Sequence, residues 1–375
     1  MVLSKFLLSV PTNLFLTAAG ILGIGFIIAF HEFGHFIFCK IFDVRTNSFA
    51  IGYGPKLFKK KWGETKFSVG SIPLGGYVEM ATESPKGPTD PRLFTKKPLY
   101  QKLMIIFGGI TFNILFAYFV LCIIFMTGLP KTRLLYPINT SNNIALVKED
   151  SPAGKAGLKK GDKIISIDGY SLEKSAEKIF DVLKPLAGKE VLVTFEREGK
   201  LEAIAVTLAE RKVFGKSHGS LGVYFDFEQK PGLGFIDSIK RGIATTNRYI
   251  ADTFKAYKNI LVKRETKGLG GPVMIISETI KGAAKGLKIF LLFLAIISIN
   301  LAILNLIPLP ILDGGQALLF TIEAIIRRPL HERTKEIIFI ACWIGMLALF
   351  VYLSAKDIWR IIQPWIGSIK QFFGA

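Results

Sequence analysis

The stretch Leu14-Phe-Leu-Thr-Ala-Ala-Gly-Ile-Leu-Gly-Ile-Gly-Phe-Ile-Ile-Ala-Phe-His-Glu-Phe-Gly-His-Phe-Ile-Phe38 decides the class of this protein. It carries no charge before His31 and Glu32, and it exceeds the about 20 apolar residues that a helix needs to cross a bilayer. A signal peptide would end its shorter apolar core at a small-residue cleavage site, whereas this stretch continues into charged residues. We therefore expect a transmembrane helix rather than a leader.

Three further segments are long and apolar enough to cross a membrane, at about Leu103 to Leu129, Ile289 to Leu312 and Ile337 to Ala355. Half of the 375 residues are hydrophobic and only 21% are charged. Soluble domains are more polar than this, and disordered chains have low hydrophobicity. The sequence thus predicts an α-helical polytopic membrane protein with four transmembrane helices.

The chain is strongly basic, with 48 Lys and Arg against 29 Asp and Glu, a net charge of +19. Nucleic-acid binding would need these charges on a soluble face, but here they lie between long apolar stretches, so no nucleic-acid partner is expected. Short loops rich in Lys and Arg stay on the cytoplasmic side. The loops between spans one and two and between spans three and four have this composition, which predicts that both termini are extracytoplasmic.

The loop after span one, at about 46–80, reads as β-hairpins punctuated by Gly and Pro, with apolar runs at 49–58, 62–69 and 72–78. A strand edge cannot remain unpaired in hydrocarbon, so this sheet is predicted to be interfacial or re-entrant and to line a water-accessible cavity. Its edge could pair with an unwound substrate. An ordinary cytosolic loop is an equally open interpretation.

Residues 141–228, between spans two and three, have the composition of a soluble domain, with strands predicted at 190–196 and 201–207. The stretch Ser151 to Gly169, followed by a helix at about Ser175 to Leu186, resembles a PDZ domain. Such domains bind extended peptides at a sheet edge, and a steric or regulatory role is an equally open alternative. Residues 229–285 form an amphipathic connection, broken at 268–272, between a first membrane region at 1–130 and a second at 286–375.

His31-Glu32-Phe33-Gly34-His35 has the H-E-x-x-H pattern within span one. On a helix, positions i and i+4 lie on one face, so both imidazoles can reach a single Zn²⁺ at about 2.0–2.1 Å. Glu32 faces an adjacent position, where a carboxylate can take a proton from a zinc-bound water and pass it to the leaving amine. Ionisable residues inside an apolar span are costly and usually functional. The pattern predicts a catalytic zinc site.

A third ligand is needed, and Asp313 is the best placed. Cys39 lies two helical turns, about 12 Å, from His31 and is too far away, while His218 and His331 lie in segments that would have to fold back into the membrane. Asp313 follows a stretch with two prolines that breaks span three. The predicted topology puts it at the same depth as the histidines.

Together these motifs resemble the site-2-type intramembrane zinc metalloproteases, in the bacterial branch that includes the regulator of sigma-E protease. The resemblance covers most of the chain and includes the elements at 108–113 and 305–314. It implies zinc ligands at His31, His35 and Asp313, the catalytic base at Glu32, and substrate contacts at Asn305, Gly75 and Gly76. Two departures are a single PDZ-like domain, where relatives often have two, and no proline after Gly109.

The resemblance further implies a bacterial inner-membrane enzyme whose active site faces the cytoplasmic side. Its substrates would be single-span membrane proteins, such as anti-sigma factors or signal-peptide remnants, and a peptide could bind the extracytoplasmic PDZ-like domain. Two rival functions remain. A membrane scaffold with a structural metal would have a closed four-ligand site, and a zinc transporter would have further ionisable residues along its spans.

Overall fold

The computed structural model describes residues 2–81, 89–172, 178–213, 216–263 and 270–372. The chain divides into two units: Met1–Ile124 with Ile236–Ala375, and the intervening Phe125–Phe235. The helices of the described residues are α1 Val2–Ile41, α2 Leu99–Thr127, α3 Pro152–Ala156, α4 Ile179–Leu183, α5 Phe235–Lys263, α6 Pro272–Ala284, α7 Leu287–Asn305, α8 Asp313–Ile326 and α9 Glu332–Phe372. The strands are β1 Thr46–Trp62, β2 Thr65–Met80, β3 Thr140–Val147, β4 Lys163–Ile167, β5 Tyr170–Ser171, β6 Glu190–Arg197, β7 Lys200–Thr207, β8 Ala209–Val213, β9 Lys216–Ser220 and β10 Val223–Phe227.

Four of these helices are long and apolar enough to cross a membrane. They are Leu14–Ile41 within α1, Leu99–Thr127, Leu287–Asn305, and Glu332–Gln363 within α9. The four spans predicted from hydropathy are thus confirmed as helices, although their ends differ. The second begins earlier than predicted, directly after Pro98, a residue that favours the start of a helix.

The third span differs most from its prediction. It ends at Asn305 rather than near Leu312, because Pro308 and Pro310 lack the backbone N–H that would continue the helix. Asp313 therefore does not end span three. It is instead the first residue of α8, a separate helix that the sequence analysis did not predict.

The loop after α1 forms one antiparallel pair, β1 with β2, rather than a series of separate hairpins. The first half of β1 has partners on two sides, since Phe49 pairs with both Phe67 and Val78. The strands can fold over in this way because Gly52, Gly54 and Gly75 have positive φ values of 78°, 80° and 103°. Segment 76–80 consequently lies at an edge of this sheet, paired with the first half of β1.

The second unit is an antiparallel sheet with short helices. Its strand order is β10-β3-β4-β6-β7, with β5 beside β4, and β8 pairs separately with β9. Apolar side chains of alternating strand positions, such as Ile164, Val193 and Phe195, form its core. The strands expected at 190–196 and 201–207 correspond to β6 and β7. The helix expected at 175–186 is present as α4 and a following 3₁₀ turn, while residues 175–177 lie outside the described ranges.

The 229–285 connection contains two helices. The first, α5, is amphipathic along its length, and the second, α6, begins at Pro272. Of the predicted break at 268–272, residues 268 and 269 lie outside the described ranges.

Candidate metal and active site

The helix α1 carries the two histidines of the H-E-x-x-H pattern on one buried face, as the i, i+4 spacing requires. Close contact with α2 shields this face. An ideal Cβ at Gly34 would lie only 2.3 Å from the Gly108 carbonyl oxygen, and one at Gly108 would lie 2.7 Å from the Gly34 oxygen. The two backbones can touch here only because neither residue has a side chain.

Asp313 reaches the same place from α8. The loop that brings it there is tight, because ideal Cβ atoms at Gly314 and Gly315 would lie 2.4 Å and 2.0 Å from the carbonyl oxygens of Leu306 and Leu309. The glycines after Asp313 thus let α8 begin directly against the proline-broken end of α7.

The three side chains converge on one point. Nε2 of His31 lies 3.1 Å from Nε2 of His35 and 3.1 Å from Oδ2 of Asp313, and Nε2 of His35 lies 3.6 Å from the same oxygen. Ligand atoms at zinc distances in a tetrahedron are about 3.4 Å apart. The triangle therefore has the size that a zinc ion requires of three of its four ligands.

The donor set also fits a cation chemically. Oδ2 of Asp313 is buried, and among the described residues no hydrogen-bond donor is aligned with it, although both imidazoles are within 3.6 Å. A buried carboxylate oxygen without a partner is costly, and a metal ion would supply that partner. Two imidazoles and a carboxylate are ligands that zinc accepts.

The other nitrogen of each imidazole faces α2. Nδ1 of His35 lies 2.9 Å from the carbonyl oxygen of Ile105, and Nδ1 of His31 lies 3.1 Å from Nδ2 of Asn113. Gly109 lies between these two positions on the same helix. An ideal Cβ there would be 2.5 Å from Nε2 of His35 and 2.7 Å from Nε2 of His31.

Gly109 and Asn113 are two residues of the site that were not predicted from the sequence. One signal that could have revealed them is Asn113 itself, a polar side chain in a span without charges. Another is the pair of adjacent glycines, which is typical of helices that approach closely in a membrane.

Glu32 lies next to the metal-binding point and next to the sheet. Its side chain is half-buried, and the backbone amide of Val78 lies within hydrogen-bonding reach of its carboxylate. An ideal Cβ at Gly76 would be 3.2 Å from Cγ of Glu32. A larger residue in place of Gly76 would thus crowd the candidate base.

The other predicted site residues lie as follows. Gly75 forms the bend of β2 beside Gly76, and Asn305 is the buried last residue of α7, whose carbonyl oxygen would be 2.9 Å from a Cβ at Gly314. Cys39 is buried in an apolar cluster with Val44 and Ile105, consistent with its rejection as a ligand.

Ion pairs join the turn of the sheet to the end of α1. Glu64, between β1 and β2, accepts hydrogen bonds from Nζ of Lys40 at 3.0 Å and Nη2 of Arg92 at 2.7 Å. Burial by itself would raise the pKa of Glu64, but the hydrogen bonds from Arg92 and Lys40 bring it below its usual value. The sheet is thereby fixed to the helix that carries Glu32.

A membrane-helical protein with two histidines and a carboxylate at one buried point, and a glutamate beside them, belongs to the class of membrane-embedded zinc metallopeptidases. Comparison with known families agrees, since the model of Peptidase family M50 matches residues 19–350, and the chain belongs to this family. It is a zinc-dependent metalloendopeptidase of the site-2 protease type.

Curated relatives cover nearly the whole chain. A protein of Clostridium acetobutylicum with zinc metalloprotease in its name is 30% identical over 90% of this chain and 96% of its own length. The zinc metalloprotease RasP of Geobacillus kaustophilus is 28% identical over 89% of this chain and 95% of its own length. Among solved structures, the PDZ domain of an SdrC-like protein from Listeria monocytogenes is 25% identical, with a TM-score of 0.20, over 23% of this chain and 87% of that domain.

Proposed function

We propose that this metalloprotease is an intramembrane endopeptidase that hydrolyses peptide bonds within the transmembrane segments of single-span membrane proteins. The observation that carries the proposal is that His31 and His35, inside a helix that is long and apolar enough to span a bilayer, converge on one point with Asp313 at the start of α8. A peptide bond cut there must come from a segment that is itself within the membrane.

In this proposal His31, His35 and Asp313 would hold a zinc ion. A zinc ion held there would supply Lewis-acid chemistry, which activates a water molecule and polarises the carbonyl of the scissile bond. Three protein ligands are the number typical of catalytic zinc sites, whereas the structural site of a scaffold would have four.

Glu32 acts as the general base and then as the acid. Its carboxylate takes a proton from the attacking water and delivers it to the nitrogen of the leaving amine. The backbone amide of Val78 orients the Glu32 carboxylate toward the sheet. Proton transfer by Glu32 would then take place on the side of the sheet edge where the substrate would lie.

The edge of β2 at 76–80 is the place where an unwound substrate would bind. A transmembrane helix keeps its peptide bonds hydrogen-bonded internally, and an unwound segment needs new partners in the absence of water. Strand addition supplies them, and Gly75 and Gly76, at the start of this edge and next to Glu32, would contact the substrate backbone. Asn305, at the end of α7, would contact the substrate backbone or steady the reacting carbonyl.

The position of the sheet supports a re-entrant arrangement. An ideal Cβ at Gly25 would lie 2.0 Å from the carbonyl oxygen of Pro73. Gly25 is six residues before His31 in α1, about 9 Å along the helix, and thus deeper in the span. The sheet therefore follows α1 past the metal-binding point toward the middle of the membrane.

We place the enzyme in a bacterial inner membrane, with the active site toward the cytoplasm and the Phe125–Phe235 unit outside. Anti-sigma factors and signal-peptide remnants are the proposed substrates. The outer unit would bind a peptide or control access of the substrate.

The proposal is tested by cleavage of a single-span substrate in proteoliposomes by the wild-type protein and by Glu32→Gln, with bound zinc measured in both. We expect both proteins to hold about one zinc and only the wild type to cut. The loss should exceed a hundredfold, because general acid–base catalysis contributes about 10²–10⁴-fold.

Near-normal turnover by Glu32→Gln would contradict the role of Glu32. If neither protein cuts any of several helix-destabilised substrates although zinc is bound, the scaffold alternative replaces the protease. A soluble extension of the same substrate is the control for an intramembrane site. We expect this extension to be cut no faster than the segment buried in the membrane.

A further inference from the structure

The side-chain amide of Asn113 lies in the interior of the first unit, against His31. Asn113 is fully buried, and its Nδ2 lies 3.1 Å from Nδ1 of His31. Its Oδ1 is also buried and, within the part of the chain that the structure describes, has no hydrogen-bond partner. Leaving an amide oxygen unsatisfied between apolar helices is costly, so this arrangement needs an explanation.

The chemistry of a ligand histidine supplies one. An imidazole that binds a metal through Nε2 carries its proton on Nδ1 and needs a hydrogen-bond acceptor there. His35 has such an acceptor in the carbonyl oxygen of Ile105, 2.9 Å away. Among the described residues, Nδ1 of His31 faces the NH₂ group of Asn113, and an NH₂ group cannot accept a hydrogen bond from Nδ1–H.

Rotating the amide by 180° exchanges its oxygen and nitrogen without changing its shape. Oδ1 of Asn113 then accepts the hydrogen bond from Nδ1 of His31, which supplies the acceptor that this proton needs, and the NH₂ group takes the former position of the oxygen. Both imidazoles thereby present an unprotonated Nε2 to the point where Oδ2 of Asp313 lies.

We propose that Asn113 is a positioning residue for the zinc site, which fixes the tautomer and orientation of His31 by accepting its Nδ1 proton. This inference rests on the ligand set of the proposed function. Asn113 itself touches neither the zinc nor the substrate, so its contribution is to the affinity for the metal.

The surroundings hold Asn113 in place for this task. Oγ of Ser298, on α7, donates a hydrogen bond of 2.9 Å to the carbonyl oxygen of Asn113, and both residues are fully buried. On α2, the acceptors Ile105 and Asn113 are two helical turns apart, and Gly109 lies midway between them against both imidazoles. The helix α2 thus places one hydrogen-bond acceptor beside each imidazole.

The test compares Asn113→Leu, which removes the acceptor, with Asn113→Asp, which keeps one. Zinc affinity is measured for each full-length purified protein by competition with a chelator of known affinity. We expect Asn113→Leu to lose about 10–100-fold in affinity, the usual effect of losing an outer hydrogen-bond partner of a ligand. Asn113→Asp should bind zinc at least as tightly as the wild type, because a carboxylate oxygen accepts the same proton.

The matched control is Thr111→Val on the same helix. Thr111 is exposed and bonds only to the carbonyl oxygen of Phe107 among the described contacts, so its removal should leave zinc affinity unchanged. Thermal unfolding of each metal-free variant separates loss of affinity from loss of fold.

Wild-type affinity in Asn113→Leu would overturn the inference. A tenfold or greater loss of zinc affinity in Asn113→Asp would also overturn the inference. This second test remains valid if Asn113→Leu does not fold. His31→Ala distinguishes failure of this inference from failure of the proposed function, because retention of zinc by that variant would show that the ligand set itself is wrong.

Discussion

At the scale of single residues, the candidate site depends on glycines as much as on its ligands. Gly34, Gly108 and Gly109 let α2 pack closely against the face of α1 that carries His31 and His35, and Gly314 and Gly315 make the loop at Asp313 tight. In a membrane, helices associate through such small residues rather than through a hydrophobic effect between them.

We therefore predict that Gly109→Ala weakens zinc binding, although Gly109 is not a ligand. The new methyl group would lie 2.5 Å from Nε2 of His35 and 2.7 Å from Nε2 of His31, and α2 cannot retreat without opening the Gly34–Gly108 contact. Zinc affinity, measured by chelator competition, should fall about tenfold or more, as for other changes that displace ligands.

The control for this change is Gly345→Ala in α9, where no described atom lies within 4 Å of an added Cβ. That variant should bind zinc as the wild type does. Unchanged affinity in Gly109→Ala would show that the imidazoles tolerate the displacement and would contradict the tight packing described here.

The sequence predicts the residues of this site better than it predicts how they are supported. The i, i+4 spacing of His31 and His35 follows from helix geometry, so a local pattern suffices. The proposed third ligand, Asp313, is inferred from matching depth in the membrane. Asn113 and Gly109 lie about eighty residues from the histidines in sequence, and only the packing of α1 against α2 shows their contact.

At the scale of elements, local propensity predicts where helices exist but not where they end. The apolar run to Leu312 suggests one continuous span, whereas Pro308 and Pro310 end α7 at Asn305 and leave Asp313 to begin α8. The folding of β1 and β2 into a sheet with an edge near Glu32 depends on glycines with positive φ. Their effect on register cannot be derived from alternation alone.

In the Phe125–Phe235 unit, an ion pair between a buried carboxylate and a partly exposed guanidinium joins two strands. Asp162, just before β4, accepts hydrogen bonds from Nε and Nη2 of Arg197, at the end of β6, at 2.8 and 2.6 Å. Burial alone would raise the pKa of Asp162, but the bonds from Arg197 and from the Lys159 amide lower it below its usual value. The Asp162 carboxylate, 1% exposed, should therefore stabilise this unit.

We predict that Asp162→Asn destabilises this unit at pH 7 by about 2 kcal/mol, the usual contribution of hydrogen bonds to a charged group. The pKa of Asp162 is lower in the folded state than the value of about 3.9 in the unfolded state, so the ionised carboxylate stabilises the fold above about pH 3.9. This stabilisation is lost as the pH falls through the folded-state pKa. Hydrogen exchange of β4 and β6 in the full chain should be about 30-fold faster in the variant at pH 7. The difference from wild type should decrease below about pH 4.

An exposed carboxylate in the same unit, Asp181, provides the control. Asp181→Asn removes a surface pair with Lys184 and should change the stability by less than about 0.5 kcal/mol. If the hydrogen-exchange rates of Asp162→Asn and the wild type differ as much at pH 3 as at pH 7, the charge of the carboxylate does not cause the effect.

At the scale of the whole molecule, the charge distribution determines the predicted orientation. Between α1 and α2 lie ten Lys and Arg residues, at positions 45, 56, 59, 60, 61, 66, 86, 92, 96 and 97. Such a concentration in a loop of this length is retained on the cytoplasmic side. The Phe125–Phe235 unit follows one span later and should therefore lie on the extracytoplasmic side. A ligand of this unit would then bind on the side of the membrane opposite to the one that the proposed active site faces.

This orientation predicts opposite labelling of two single cysteines in a background where Cys39, Cys122 and Cys342 are replaced by alanine. Lys60→Cys, exposed on β1, should react with a membrane-impermeant maleimide only in inside-out vesicles, and Lys200→Cys, exposed on β7, only in right-side-out vesicles. Each variant first has to retain cleavage, which shows that it is folded. Labelling of both from the same side would mean that α2 does not cross the membrane. Reversed labelling would mean that the active site faces the extracytoplasmic side. The cleaved products would then be released on that side rather than into the cytoplasm.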